Sequence, residues 1–325
     1  MIAAHDSARA RRYGGRASLK ALTILAGLVL SVLGAGAGGL AQTITVSIPA
    51  ERDSTLMQAH PHDSDGAWGF LWPKWNSERL ENRILLGFDL TPLAGRAADV
   101  LGASVILTAS SHTFPAKRGT VFHIHAMEPG ALVDWVEGDG RFDTFAYCSR
   151  RDLRRPGTGV GGPGVTWTCE AEDVEDGAPI CLTPWSPPTA WLGGFAQAGE
   201  PPDHLPRGFR TVPTDSPSEL KGYAPLCAQA LSCFAATGSV DCWRRVTLDV
   251  TPDVREMLAT GRLHPSWLIR KDRVEAGAAY FFSREGAVCI MGVRDLRPQL
   301  LVTLVGTPAD PPTIPEPPDH CEASD

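Results

Sequence analysis

Residues Asn82–Leu90 alternate between apolar side chains and others with a period of two. In an extended strand the apolar side chains share one face, namely those of Ile84, Leu86, Phe88 and Leu90. The opposite face carries Arg83 near one end and Asp89 near the other. A strand with one apolar face and one partly charged face is typical of an antiparallel β-sandwich, because strands of α/β sheets are apolar on both faces. The segment therefore predicts an all-β fold.

Similar alternation recurs along the chain and predicts further strands at residues 43–49, 100–110, 121–127, 245–250, 266–270, 278–282 and 299–305. One short helix is predicted, because Thr251 can cap it, Pro252 suits its first position and Gly261 can end it. Residues 139–243 are rich in Gly, Pro and Cys and hold only short strand candidates. We therefore expect one large irregular insertion in the sandwich.

Short motifs follow one another in order between about residues 43 and 306. They are Val46–Leu56 with its Asp-rich turn, Arg83–Leu90, Trp135–Gly138, Gly164–Trp167, Asp249–Leu258, Ser283–Glu285 and Arg297–Thr303. This ordered set resembles the DNRLRE-domain family of secreted bacterial proteins. The resemblance implies a jelly-roll-like antiparallel β-sandwich and an extracellular location. Some members of that family are classed as carbohydrate-binding modules appended to polysaccharide-degrading enzymes, which makes carbohydrate binding an expectation for this chain.

The N-terminal segment has five basic residues, then an apolar run at residues 21–33, then the small-residue sequence Gly39-Leu40-Ala41. This order predicts a secretory signal peptide at residues 1–41. Cleavage after Ala37 and an uncleaved anchor are the alternatives, although the apolar run is shorter than the ~20 residues that span a bilayer. We expect a secreted protein, extracellular or periplasmic, with one β-sandwich domain at residues 42–306 and a Pro-rich, acidic, mobile tail at residues 307–325.

The charge of the chain argues against nucleic acid as a partner. The whole chain has 30 Lys and Arg and 37 Asp and Glu, of which the predicted signal peptide holds five and one. The remainder would carry 25 against 36, a net charge of −11, which offers no overall electrostatic attraction to nucleic acid. After removal of the signal peptide, no further segment is apolar enough to predict a membrane span.

An exported chain with an even number of cysteines is expected to form disulfides. The eight cysteines all follow the predicted signal peptide and are Cys148, Cys169, Cys181, Cys227, Cys233, Cys242, Cys289 and Cys321. Their spacing is irregular and includes no C-x-x-C pair, which argues against a zinc site. We therefore predict four disulfides, which tie down the irregular insertion and, through Cys321, anchor the tail.

Four charged residues lie in segments that we predict to be strand-like, namely Arg83, Asp89, Arg284 and Glu285. They would either form a charged site or serve as structural ion pairs. We favour structural ion pairs on the inner strand faces that keep the strands in register. The reason is that ions buried in a sandwich must be paired, and such pairs add specificity more than stability.

Two loops rich in aromatic residues are the candidate surfaces for carbohydrate. Trp68, Trp72 and Trp75 lie in the first loop, and Trp185 and Trp191 lie in the second. Aromatic faces that are exposed stack on sugar rings and mark binding surfaces. The alternative is that these rings fill a small core under long loops. Of the two loops, the one that holds Trp68 to Trp75 is the favoured candidate.

Metal binding is not expected at the two His-x-His pairs, His60 with His62 and His123 with His125. The second pair would point to one side of a strand, as metal ligands do, but the further ligands of a cupin-like site are at the wrong distances. The acidic run at residues 170–176 lacks the spacing of an EF-hand, so a solvated loop is favoured over a calcium site. No cofactor is predicted, with calcium kept as the alternative.

The function hypothesis is a secreted, non-catalytic module that binds a polysaccharide or a cell-surface glycan. A basic cluster that includes Arg150 and Arg151 would pair with an acidic polysaccharide, unless it is a solvated loop. No G-x-S-x-G, H-E-x-x-H or phosphate-loop motif occurs, so catalysis is not favoured. The alternatives are a structural or adhesive envelope protein without a sugar site, and a polysaccharide hydrolase or lyase.

Overall fold

Two antiparallel β-sheets face each other across an apolar core. The computed structural model describes residues 42–76, 80–112, 121–127, 135–138, 164–175, 178–184, 208–211, 230, 232–271, 276–306 and 312–316. Gln42–Asp325 forms one compact unit. No helix within the described ranges is long and apolar enough to cross a membrane.

The strands, numbered in chain order, are β1 (Thr43–Pro49), β2 (Arg52–Met57), β3 (Phe70–Leu71), β4 (Lys74–Trp75), β5 (Glu81–Gly87), β6 (Val100–His112), β7 (Val121–Ala126), β8 (Cys169–Glu175), β9 (Ala178–Pro184), β10 (Gly208–Thr211), β11 (Arg244–Asp249), β12 (Ser266–Lys271), β13 (Gly277–Phe282) and β14 (Gln299–Val305). Helix α1 spans Thr251–Thr260 and has a proline in its first turn. It ends at Gly261, whose φ of 73° is a left-handed conformation that suits glycine.

The strand order is β1-β14-β6-β11 in the first sheet and β2-β5-β12-β7-β10 in the second. Strand β13 pairs with β6 of the first sheet and with β4, and β4 pairs with β5 of the second. Hydrogen bonding therefore continues from one sheet to the other along one side of the sandwich. All of these pairs are antiparallel, which agrees with the one-sided alternation of the sequence.

The main core is built from alternate side chains of both sheets. From the first sheet come Ile44, Val46, Ile48, Val105, Leu107, Val246, Leu248, Leu300, Val302 and Leu304, and from the second come Ile84, Leu86, Phe122, Ile124, Trp267 and Ile269. Because the residues of each row alternate along their strands, a register slip of one residue would turn these rows away from the main core. Strand β5 is buried on its outer face as well. The all-β sandwich that the sequence predicts is confirmed.

The predicted insertion is more regular than we expected. Strands β8 and β9 form an antiparallel hairpin, and Cys169–Cys181 joins them as one of two disulfides in the described part of the chain. The other is Cys233–Cys242. Trp135 and Val165 pack with Leu56, Leu85 and Leu268, which lie on the outer face of the second sheet. Residues 170–175 therefore belong to a strand and not to the loop that we expected, although Asp173 and Glu175 are exposed.

The structure describes only parts of the remaining cysteines and of the tail. Cys148, Cys227 and Cys321 lie outside the described residues, as does the side chain of Cys289. We expected a mobile tail from residue 307. Residues 312–316 instead lie against the sandwich, where Ile314 packs on the main core and Glu316 pairs with Arg297 at 2.9 Å.

Candidate functional site

The first aromatic loop forms a second core and not an exposed platform. Trp68 and Trp72 are only 3% and 8% exposed, and they pack with Phe70, Tyr280 and other apolar residues. Trp72 stacks on Tyr280 with ring centroids 6.0 Å apart, and its indole nitrogen donates to Asp65 at 3.2 Å. Their ring faces are therefore not available to a sugar, and the predicted stacking role is wrong for both. Trp75 is half-buried.

The other predicted ligand-binding residues cannot be compared with the fold. Trp185, Trp191, Arg150 and Arg151 all lie outside the described residues. The histidine pairs do lie within them. His125 accepts a hydrogen bond from Arg270 at 3.4 Å, and His62 lies 3.1 Å from Glu172, which is buried in the β8–β9 hairpin and also accepts from Thr166.

Arg83 forms a buried ion pair on the outer face of β5, whereas we expected such pairs on inner strand faces. Its Nε donates to Glu81 at 2.7 Å, and both side chains are almost fully buried. The guanidinium lies over the ring of Trp167, 5.4 Å from the ring centroid, and that ring packs on the outer face of the second sheet. Since the inner face of β5 carries Ile84 and Leu86, Arg83 points away from the main core.

Arg284 and Glu285 do not lie in a strand. They begin a helical turn that follows β13 and continues into one turn of π-helix at Gly286–Ile290. Ser283 supports the turn, because its hydroxyl donates to the Trp68 carbonyl at 2.7 Å and accepts from the Gly286 amide at 3.0 Å. A Cβ on Gly286 would lie 1.8 Å from the Gly69 carbonyl oxygen, so this close approach requires glycine.

The turn places Arg284 among three carboxylates from distant parts of the chain. Its side chain donates to Glu285 Oε1 at 3.0 Å and to Glu137 Oε2 at 2.6 Å, and its backbone amide donates to Asp53 Oδ2 at 2.8 Å. The amide of Asp53 in turn donates to Glu137 Oε1 at 2.7 Å. A further guanidinium N–H donates to the Glu51 carbonyl. We call Asp53, Glu137, Arg284 and Glu285 the carboxylate cluster.

The carboxylates of this cluster lie close together in a nearly closed position. One oxygen from each of Asp53, Glu137 and Glu285 lies within 4.8 Å of the other two. Asp53 is fully buried, and the side chains of Glu285 and Glu137 are 8% and 13% exposed. Asp53 Oδ1 and Glu285 Oε2 are buried and accept no hydrogen bond from any described residue.

Burial and mutual repulsion shift the protonation of the cluster. Desolvation raises the pKa of Asp53 well above its ordinary value, and the charge of Glu285 raises it further. The pKa of Glu137 is raised well above its ordinary value by desolvation and by the charges of Glu285 and Asp53. Burial lowers the pKa of Arg284, but attraction to the three carboxylates outweighs burial and raises it. The guanidinium therefore stays charged while the carboxylates compete for protons.

A separate surface cleft of about 230 Å³ lies at one end of the sandwich. It is lined by Ile48, Pro49, Glu51, Asp89, Ile314, Pro315 and Glu316. His264 Nδ1 lies 3.7 Å from Glu51 Oε2 and 3.8 Å from Asp89 Oδ1. Glu51 Oε2 accepts no hydrogen bond from the described residues. The cleft therefore combines apolar walls with carboxylates that can accept hydrogen bonds.

Asp89 serves this cleft and a turn, and it does not belong to a strand-register pair. Its Oδ1 accepts the Thr91 amide at 2.8 Å at the start of the short 3₁₀ helix Thr91–Leu93. Its side chain is 29% exposed. Asp89 is thus a turn-stabilising acceptor near His264, which corrects the buried pairing predicted from its strand position.

Sequence reasoning did not assign Asp53, Glu137, Glu51 or Glu316 to a site. Asp53 and Glu137 occur in the motifs at residues 46–56 and 135–138, but nothing in those motifs shows that the two side chains meet. No protein-family model matches this chain, and no curated protein matches it.

Proposed function

We propose that the protein is a secreted, non-catalytic β-sandwich module that binds extracellular carbohydrate. The DNRLRE-like order of motifs, the disulfides and the N-terminal signal-like segment support this proposal together with the β-sandwich fold. The observation that carries it is the cleft between Pro49, Asp89 and Ile314, because the cleft offers hydrogen-bond acceptors beside apolar walls.

The chemistry of the cleft suits a sugar. Glu51 and Asp89 carboxylates accept hydrogen bonds from hydroxyl groups, while Ile314 and Pro315 offer apolar surface to the C–H groups of a sugar ring. The volume of about 230 Å³ is below that of most drug-sized ligand pockets, which favours one terminal sugar residue over a long segment of polysaccharide.

The charge of the cleft indicates which sugars would bind. Arg297 compensates Glu316 at 2.9 Å, whereas Glu51 and Asp89 share the imidazole of His264 as their ion-pair partner among the described residues. The two carboxylates outnumber this one imidazole, so the cleft has an excess of negative charge, which disfavours acidic sugars and favours neutral or amino sugars.

A polysaccharide hydrolase is the less favoured function. Its two carboxylates would flank an open substrate site at about 5–10 Å from each other. The carboxylate cluster is instead tightly packed around Arg284 and nearly closed to solvent, with oxygens within 4.8 Å. Substrate cannot reach Asp53 without opening the fold, so the cluster does not support glycoside hydrolysis.

A glycan array probed with the purified protein tests the proposal. We expect binding to glycans that end in neutral or amino sugars, and Asp89→Asn or Glu51→Gln should weaken it tenfold or more without lowering the melting temperature. Glu256→Gln is the matched control, because Glu256 lies on the surface of α1 and pairs with Arg262.

Two results would contradict the proposal. Wild-type protein that binds no glycan would exclude carbohydrate recognition in favour of a structural or adhesive role. If binding persists in both cleft variants but is lost in Trp75→Ala, the sugar site lies at the half-buried Trp75 ring of β4 and not in the cleft.

A further inference from the structure

The carboxylate cluster has more negative charge than its arginine can balance. Asp53, Glu137 and Glu285 bring three carboxylates, and Arg284 is the guanidinium that attracts all three. With all groups ionised the cluster has two net negative charges. An excess of buried charge is costly, so it must be removed by protons or compensated by a cation.

Two oxygens of the cluster lack the partner that burial requires. Asp53 Oδ1 and Glu285 Oε2 are buried, and no described residue donates a hydrogen bond to either. The other oxygens of the three carboxylates each accept from Arg284 or from the Asp53 amide. A buried carboxylate oxygen without a donor or a cation loses the solvation it had in water.

We propose that Asp53, Glu137 and Glu285 bind one divalent cation, with Ca²⁺ preferred, beside the Arg284 guanidinium. Calcium takes oxygen ligands at 2.3–2.6 Å, so oxygens on opposite sides of the ion are separated by about 5 Å. The spacing within 4.8 Å among the three carboxylates fits this size. One divalent ion would also reduce the net charge of the cluster from two negative charges to zero.

The surroundings hold the ligands in place and leave an entry path. A Cβ on Gly66 would lie 2.1 Å from the Glu137 carbonyl oxygen, so the backbone of the Asp65–Trp68 turn packs directly on Glu137. Glu137 keeps 13% of its side-chain surface exposed, so an ion would enter the cluster past this side chain. The site therefore needs little rearrangement on binding, which favours affinity.

Metal content and metal-dependent stability test the site directly. Full-length protein purified without chelator should contain about one equivalent of calcium by mass spectrometry, or take it up on titration. Ca²⁺ at a hundredfold excess over its Kd should raise the melting temperature by roughly 5–10 °C, and chelator should reverse the shift.

Terbium provides a second measurement at the same site. Tb³⁺ replaces Ca²⁺ on oxygen ligands, and Trp135, two residues from Glu137, should sensitise its luminescence. We expect Ca²⁺ to compete for this signal. Asp53→Asn and Glu285→Gln should weaken binding of both ions at least tenfold, whereas Glu256→Gln should leave it unchanged.

Measurements on the wild-type protein test the proposal even if a cluster variant fails to fold. Wild-type protein that has no stoichiometric metal, no Ca²⁺-dependent melting shift and no competed terbium signal would overturn the proposal and leave protons as the compensating charge. Equal Tb³⁺ binding by folded Glu285→Gln would overturn it as well.

Discussion

Arg83 and Arg284 are both buried, yet they compensate charge in different ways. Arg83 pairs with the carboxylate of Glu81 at 2.7 Å on the covered outer face of the second sheet. Arg284 faces three carboxylates beside the sheet edge formed by β2. The Arg83 pair is neutral by itself, whereas the Arg284 cluster is not.

The difference shows that burial of an ion does not by itself indicate a structural role. A single Arg–Glu pair has no net charge, and replacing such a pair by apolar side chains of similar volume often costs little. A cluster with excess charge keeps unpartnered oxygens at Asp53 and Glu285 and responds to protons and cations.

Arg284→Met should give the largest loss of stability, because it leaves three buried carboxylates without their cation. Removing one partner of a buried ion pair costs about 3–5 kcal/mol, and we expect at least that much in denaturant unfolding. Arg262→Met is the control, since Arg262 pairs with Glu256 at the surface and such pairs contribute about 0–1 kcal/mol. Equal losses in the two variants would mean that the cluster is not ionised.

Arg83→Met alone should also cost about 3–5 kcal/mol, because it leaves Glu81 buried and charged. Adding Glu81→Leu should restore the free energy of unfolding to within about 1–2 kcal/mol of wild type. The corresponding double variant, Arg284→Met with Glu285→Met, should not recover, because Asp53 and Glu137 remain. Recovery of both double variants would contradict the distinction between the pair and the cluster.

The pH dependence should be opposite to that of an ordinary carboxylate ion pair. The pKa values of Asp53 and Glu137 are raised in the folded protein, so above the ordinary values of 3.8 and 4.5 the folded state retains protons that the unfolded state has lost. Stability contributed by these groups therefore falls as pH rises from that point through the raised native values.

Melting curves in chelator between about pH 5 and 8 measure this trend. The melting temperature of wild type should decline relative to that of Asp53→Asn as pH rises, since the variant cannot lose the proton. Added Ca²⁺ should remove the decline if the cation site exists. A difference between wild type and variant that does not change with pH would refute the raised pKa of Asp53.

Local patterns explain why much of the sandwich was predictable. The strands at Thr43–Pro49 and Gln299–Val305 have the bounds that the alternation predicts, and α1 ends at the expected Gly261. Each of these signals depends on the side chains within one strand or helix. The pairing of β1 with β14, by contrast, joins residues at opposite ends of the domain and needed the structure.

The sites depend on contacts that no local pattern encodes. Arg284 and Glu285 were candidates because they are charged residues in a segment that we predicted to be strand-like. Asp53, however, lies 231 residues from Arg284 in the sequence, and Glu137 lies 84 residues from Asp53. The burial of Trp68 and Trp72 was not predicted for a similar reason. Aromatic residues in a Gly-rich loop have the same spacing whether they are exposed or, as here, covered by Tyr280 and Phe282.

Substitutions of Asp89, which lines the surface cleft, should have the smallest effect on the free energy of unfolding. Its Oδ1 accepts the Thr91 amide at 2.8 Å, so Asp89→Ala should cost roughly 1 kcal/mol, the usual value of a capping acceptor. Asp89→Asn keeps an oxygen in that place and should change the free energy of unfolding by less than about 0.5 kcal/mol. The negative charge of Asp89 is thus not needed for folding. If Asp89→Asn nevertheless destabilises the protein by several kcal/mol in denaturant unfolding, the ion pair with His264 at 3.8 Å is structural, and the cleft variant no longer separates sugar binding from stability.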